Sequence, residues 1–171
     1  MKKLDLKFWL ILLAELLIAM AIFIAASEWQ AQDMLDTDSK LPSLTAQTLA
    51  GETIVFPNKL GEEKQTLIYF FAPWCTICHL SIENLNDIDQ GDALQILIVA
   101  LDYQNIQEVE EFIDNHDLDY PVLLGDSRWL NSYRVMAFPS YYLIDKQGTV
   151  ASRSMGYSTS LGMLARIKIN N

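Results

Sequence analysis

Cysteine is almost missing from this chain of 171 residues, with only two present. A small exported domain stapled by disulfides scatters four or more, so that class is excluded. Two cysteines separated by only two residues also enclose too small a loop to act as a useful staple. Basic residues are scarce as well, 12 against 22 acidic ones. The first 27 residues hold three of the bases, Lys2, Lys3 and Lys7, and only two acids, Asp5 and Glu15. The remaining chain is therefore strongly acidic, which disfavours nucleic-acid backbones and leaves no basic patch for anionic lipid. Only two histidines occur, and no internal repeat or low-complexity tract is present. A chain of this length suits one domain with a real core.

One long apolar run exists, Phe8 to Ala26. Its length approaches the ~20 residues a helix needs to cross a bilayer. Lys2, Lys3 and Lys7 precede it, and Glu28, Asp33, Asp36 and Asp38 follow it. The positive-inside rule then keeps the N-terminus cytoplasmic and exports the rest. Trp9 and Trp29 bracket the run as interface anchors. Glu15, inside it, is a costly carboxylate at about 2.5–3.5 kcal/mol on insertion scales. A cleavable signal peptide is the rival reading, with Ala25-Ala26-Ser27 offering small residues, but the run is long for one. The expected organisation is residues 1–27 as cytoplasmic N-terminus and anchor, 28–40 as a polar linker, and 41–171 as one folded domain.

Within that domain, short strands are expected at 43–48 and 53–56. A continuous apolar run at 66–72 suits a central strand buried on both faces. It leads into Pro73-Trp74-Cys75-Thr76-Ile77-Cys78-His79. Leu80, Ile82, Leu85 and Ile88 then form an apolar stripe, so the cysteines open a helix. Strands at 94–101, 120–124, 140–144 and 149–154 alternate with helices at 106–116, 129–133 and 159–169. The pattern predicts an α/β fold with a mixed sheet. Trp129, Tyr133, Tyr141 and Tyr142 read as core aromatics, and His116 as a surface residue.

The thiolate, not the thiol, is the nucleophile, and a helix start offers unpaired N–H groups to it. Cys75 stands at that start and Cys78 one turn on, so attack by Cys75 and resolution by Cys78 form the expected cycle. Trp74 is expected on the substrate-facing surface, and His79 adds potential positive charge beside the pair. Two other readings of the motif stand beside this one. Cys75-Thr-Ile-Cys78-His79 also spells CxxCH, a c-type haem attachment pattern with Met136, Met155 or Met163 as second ligand. A copper or zinc module on Cys75, Cys78 and His79 is the other, although no second Cys/His cluster completes a structural site. The buried strand before the motif speaks against haem.

The run Tyr69-Phe-Phe-Ala-Pro-Trp-Cys-Thr-Ile-Cys78 resembles the active-site strand and helix start of thioredoxins. Val135-Met-Ala-Phe-Pro-Ser140 resembles the family's cis-proline loop. Leu41-Pro42, Leu49-Ala-Gly51 and Leu143-Ile-Asp-Lys-Gln-Gly148 resemble the membrane-anchored TlpA/ResA/DsbE-type branch. The resemblance covers about residues 41–170. It implies a thioredoxin-like fold with a mixed central sheet flanked by helices, extra N-terminal strands and one transmembrane helix. No cofactor and no resident metal are expected. The resemblance further implies a cis Pro139, with the backbone at Phe138 pairing with substrate, and dithiol–disulfide exchange on exported proteins. A reductant, for instance in cytochrome c maturation, is the favoured direction, fed by a membrane donor of DsbD/CcdA type. A disulfide-forming or copper-stress role is the alternative. The expected location is the bacterial inner membrane, with the catalytic domain periplasmic. Two departures matter. Thioredoxins carry a buried Asp where this chain has Tyr69, and many TlpA-like proteins carry a Glu where it has Ser81. The proton acceptor for Cys78 is thus open, with Glu83 and His79 as candidates.

Overall fold

A computed structural model describes residues 6–57, 64–88, 91 and 93–170. Lys2 and Lys3, on which the expected membrane orientation rests, lie outside them. Helix α1 spans Leu6–Gln30, and its described side chains are almost all exposed. None of the described residues covers this apolar surface, and the helix is long and apolar enough to cross a bilayer.

Seven strands form one sheet: β1 (Leu44–Thr48), β2 (Thr53–Phe56), β3 (Gln65–Phe71), β4 (Leu94–Ala100), β5 (Val122–Leu124), β6 (Ser140–Ile144) and β7 (Val150–Met155). Their spatial order is β2-β1-β5-β4-β3-β6-β7. β3, β4 and β5 run parallel, while β1, β2, β6 and β7 join antiparallel. The sheet is therefore the expected mixed α/β arrangement. Helices α3 (Ile106–Asn115), α4 (Ser127–Ser132) and α5 (Ser160–Ile169) connect or follow the strands. Between them β4 and α4 pack so closely that a Cβ at Gly125 would meet Leu101 Cδ2 at 2.5 Å.

β3 is buried along its whole length. Its alternate side chains enter two separate interiors. Leu67, Tyr69 and Phe71 join Cys75, Cys78, Ile82 and Phe112. Ile68 and Phe70 join Phe56, Trp129, Tyr133 and Tyr142. The first interior lies beneath the cysteines and the second is an aromatic cluster.

Two expectations need correction. The helix opened by the cysteines, α2 (Thr76–Ser81), is short and passes into a 3₁₀ turn over Ile82–Leu85. Leu80 is exposed, whereas Ile82, Leu85 and Ile88 are buried at a spacing of three, the 3₁₀ period. Residues 28–40, expected as a linker, are docked on the domain from Ala31 onward. Ala31 and Met34 insert into the aromatic cluster, because they are the apolar positions of an otherwise polar stretch. Tyr142 Oη accepts from the Leu35 N–H at 2.9 Å. Arg153 donates to the carbonyls of Met34 (3.0 Å) and Leu35 (2.8 Å). Asp38 N–H and Ser39 C=O then pair with Val150.

Candidate active site

β3 delivers the chain to Pro73 and Trp74, and Cys75 forms the N-cap of α2. In that position the Cys75 sulfur accepts the backbone N–H of Cys78 at 3.2 Å. A sulfur at a helix start meets donors the helix itself leaves unused. On its other side the Cys75 thiol lies 3.5 Å from the carbonyl oxygen of Phe138. The Phe138–Pro139 bond is cis, as the resemblance implied. Both cysteines are free thiols; Cys75 keeps 6% of its surface exposed and Cys78 none.

The two sulfurs differ in surroundings. Burial, and then the hydrogen bond with Cys75, push the Cys78 thiol well above its ordinary value, against a lowering backbone contact from Ala72. Trp74 is 63% exposed, and its indole N–H donates to Asp102, at 2.9 Å to the carbonyl and 3.1 Å to Oδ2. Asp102 holds a left-handed backbone, φ 52°, which an aspartate tolerates and which turns this carbonyl toward the indole. The Trp74 ring meets Phe138 edge-on, centroids 6.0 Å apart. Trp74, Cys75 and Phe138 thus lie together around the outer sulfur, with the buried Pro139 following Phe138 in the chain.

Tyr69 stands below it. Its phenol is fully buried and faces Ser81, Cys78 and Cys75, yet Oη has no hydrogen-bond partner among the described residues. Burial holds this hydroxyl far above the usual phenol range, with Ser81 opposing. Ser81 is itself buried, with its Oγ 3.5 Å from both the C=O and the N–H of Ser158. Both positions where the family places an acid therefore hold hydroxyls, and among the described residues no carboxylate acts on Cys78.

His79 and Glu83 come together, but not on the sulfur. His79 Nε2 donates to the Pro73 carbonyl at 2.9 Å, and its Nδ1 meets His116 Nε2 at 2.8 Å. His116 Nδ1 meets Glu83 Oε1 at 3.0 Å. His116 is thus no surface residue. At the end of α3 its side chain is 8% exposed, packed on His79 and Phe112. Sequence periodicity places it beyond the last buried turn, where packing against another helix is not visible. The row of His79, His116 and Glu83 ties α2, the 3₁₀ turn and α3 together. Both His79 nitrogens are occupied, so neither faces Cys78 or is free to ligate. That weakens the haem and metal readings of Cys75-Thr-Ile-Cys78-His79.

The AhpC/TSA family model matches residues 37–153 of the chain. The chain belongs to that family. Among curated relatives, sporulation thiol-disulfide oxidoreductase A of Bacillus subtilis is 28% identical over 133 residues, covering 72% of this chain and 79% of that one. Thiol-disulfide oxidoreductase ResA of Bacillus cereus is 25% identical over 162 residues, covering 93% and 92%. The crystal structure of StoA from Bacillus subtilis matches with TM-score 0.58 at 25% identity, over 73% of this chain and 96% of that one. A DsbE-assigned thiol:disulfide interchange protein from Chlorobium tepidum matches with TM-score 0.69 at 22% identity, over 80% and 98%, which speaks for the fold. This AhpC/TSA member is a thiol–disulfide oxidoreductase of the ResA/StoA/DsbE type with a thioredoxin-like fold.

Proposed function

We propose that the chain is an extracytoplasmic, membrane-tethered protein disulfide reductase in which Cys75 attacks and Cys78 resolves. The observation that carries this is the asymmetry of the two thiols. Cys75 caps α2 with a backbone donor on its sulfur and opens toward Trp74 and the Phe138–Pro139 loop, while Cys78 is sealed below.

In the first step the Cys75 thiolate attacks one sulfur of a substrate disulfide. A Cys75–substrate S–S bond forms, and the other substrate sulfur leaves as a thiolate and takes a proton. The substrate backbone lies along Phe138 as an added strand, with Trp74 and Pro139 shaping the surface. Cys78 then loses its proton and attacks the Cys75 sulfur, closing the Cys75–Cys78 disulfide and releasing the second substrate thiol. Substrate gains two electrons and the enzyme loses two. Tyr69, whose hydroxyl is buried in the same interior as Cys78, turns toward that sulfur and donates to it as charge gathers there. His79, His116 and Glu83 brace the helix that carries both cysteines.

A buried resolving thiol without a stabilising charge leaves the reduced pair less favoured than in a strong oxidant, which supports the reductant direction. In this reading α1 is a single-pass anchor in the bacterial inner membrane, with the N-terminus cytoplasmic and the domain periplasmic. Electrons come from a membrane donor of DsbD/CcdA type, and substrates are exported proteins such as those of cytochrome c maturation. The reduction potential tests the direction. A value near −270 mV or lower fits a reductant, whereas one near −120 mV assigns a disulfide-forming role.

A further inference from the structure

Ser81 stands at the start of the 3₁₀ turn over Ile82–Leu85, where a serine ordinarily caps, yet its side chain makes no capping bond. It is fully buried and shares the inward face of α2 with Cys78, which precedes it by three residues. Side chains at that spacing on a helix are neighbours. The bonds its hydroxyl does make are weak. Oγ lies 3.5 Å from both the C=O and the N–H of Ser158, well beyond the ~2.8 Å of a firm O–H···O bond. The Ser158 carbonyl does not depend on it, because Asn84 Nδ2 donates there at 3.0 Å. The Ser81 hydrogen is therefore free to turn elsewhere, while its oxygen goes on accepting from the Ser158 N–H.

A buried acceptor in the same interior lacks a donor. Tyr69 Oη has no hydrogen-bond partner among the described residues. Burial dominates the raised ionisation of this phenol, and Ser81 is the one side chain that opposes it, as a donor to the oxygen does. The titratable groups facing Tyr69 are Cys78, Cys75 and Tyr141, and among the described residues no carboxylate or base acts on it. Tyr141 Oη already accepts from Arg166 at 2.9 Å. A hydroxyl carries one hydrogen and two acceptor sites, so a phenol that accepts from Ser81 keeps its own hydrogen to give. Hydrogen bonds in a chain also polarise one another, which strengthens the bond the phenol gives.

We propose that Ser81 is a positioning residue for the resolving step: its hydroxyl donates to Tyr69 Oη, which directs the phenol hydrogen onto the Cys78 sulfur as that thiol ionises. This rests on Cys78 resolving and on Tyr69 donating to it. The two hydroxyls stabilise the thiolate and take no proton from it. The Cys78 proton goes to hydroxide from solvent. The thiolate then forms the S–S bond to Cys75 as the Cys75–substrate bond breaks and the substrate sulfur leaves with the electron pair.

The test follows the reduced full chain, in detergent, reacting with a bis-nitrobenzoate disulfide whose thiolate is coloured. Attack by Cys75 releases one coloured thiolate in a first phase, and attack by Cys78 on the mixed disulfide releases the second. The second phase is read relative to the first, which reports Cys75 and the fold. Tyr69→Phe is expected to slow it by about tenfold, as loss of a hydrogen bond to a charged sulfur does. Ser81→Ala should slow it several-fold and move its rise with pH to higher pH. Added to Tyr69→Phe, Ser81→Ala should slow it no further, because a residue acting through another has no effect once that one is gone. Slowing that multiplies in the double variant means that Ser81 acts without Tyr69, and overturns the proposal. An unchanged second phase in Ser81→Ala beside a slowed one in Tyr69→Phe overturns it as well. An unchanged second phase in Tyr69→Phe removes the donation by Tyr69 itself, and with it the reading on which the role of Ser81 stands.

Discussion

Strand β3 sends alternate side chains into two interiors, and the buried hydroxyls on its two sides have different fates. On the side of Phe70, every aromatic polar group is satisfied. Tyr133 Oη donates to the Pro42 carbonyl, Tyr142 Oη to the Tyr133 carbonyl, and Trp129 Nε1 to the Thr45 carbonyl. The rings pack as well, Trp129 stacked on Tyr133 with centroids 5.0 Å apart. On the side of Phe71, Tyr69 Oη is buried with no hydrogen-bond partner among the described residues, in the interior of a thiol that is also fully buried. An unpaired buried polar group costs about 1–3 kcal/mol, so the aromatic interior on the side of Phe70 is built for stability and the interior beneath the cysteines leaves stability unrealised around Cys78. That is where a fold with a chemical task keeps its unsatisfied groups.

The comparison breaks first at the cysteines. Cys75→Ser should lose turnover of insulin disulfides entirely with its fold retained, and wild-type-like reduction by that variant would sink the assignment. Next, Tyr142→Phe should destabilise the protein by about 1–3 kcal/mol in denaturant melts, because it leaves the Leu35 N–H and the Tyr133 carbonyl unpaired. Its exchange rate should match wild type. Tyr69→Phe should do the opposite. Removing an unpaired hydroxyl is near neutral for stability, but release of the mixed disulfide should slow, and its rise with pH should move to higher pH. An unchanged release profile would assign Tyr69 to packing alone.

A smaller effect concerns pH and stability. Burial pushes the Tyr142 hydroxyl up to about 12, and Cys78 is also raised. Both are acids kept neutral by folding, so their contribution is fully present below the unfolded values, near 8.5 for Cys and 10 for Tyr. It is lost as pH rises through that range toward 12. Reduced protein should therefore lose stability on the alkaline side, and a flat stability curve from pH 8 to 12 would contradict this. Smallest of all, His116→Ala should cost about 1 kcal/mol through the freed His79 and Glu83 contacts, with little change in the rate of Cys75 attack.

Much of this was visible in the residues. The apolar run into Pro73-Trp74-Cys75 marks a strand buried on both faces, and the Phe138-Pro139-Ser140 landmark marks the loop opposite the cysteines. Boundaries shift by a residue or two where helices cap, as at Asn105 and Thr159, whose side chains accept the first free N–H groups. Three things were not visible. His116 is packed against His79 of α2, which no local pattern reports. Leu80 interrupts the expected stripe, since the helix tightens to a 3₁₀ turn after Ser81. The docking of Ala31 and Met34 depends on the far surface of β6 and β7, although apolar residues at that spacing in a polar stretch were the available signal. Tyr69 could be identified as a substitution for an acid, but its unpaired hydroxyl only by its surroundings.

The central claim is that Cys75, not Cys78, makes the bond to substrate. The most direct measurement is mass spectrometry of the Cys78→Ser and Cys75→Ser variants after exposure to a disulfide substrate. The account predicts a stable mixed disulfide on Cys75 in the first variant and none in the second. An adduct on Cys78 when Cys75 is absent, with none on Cys75 when Cys78 is absent, would contradict it.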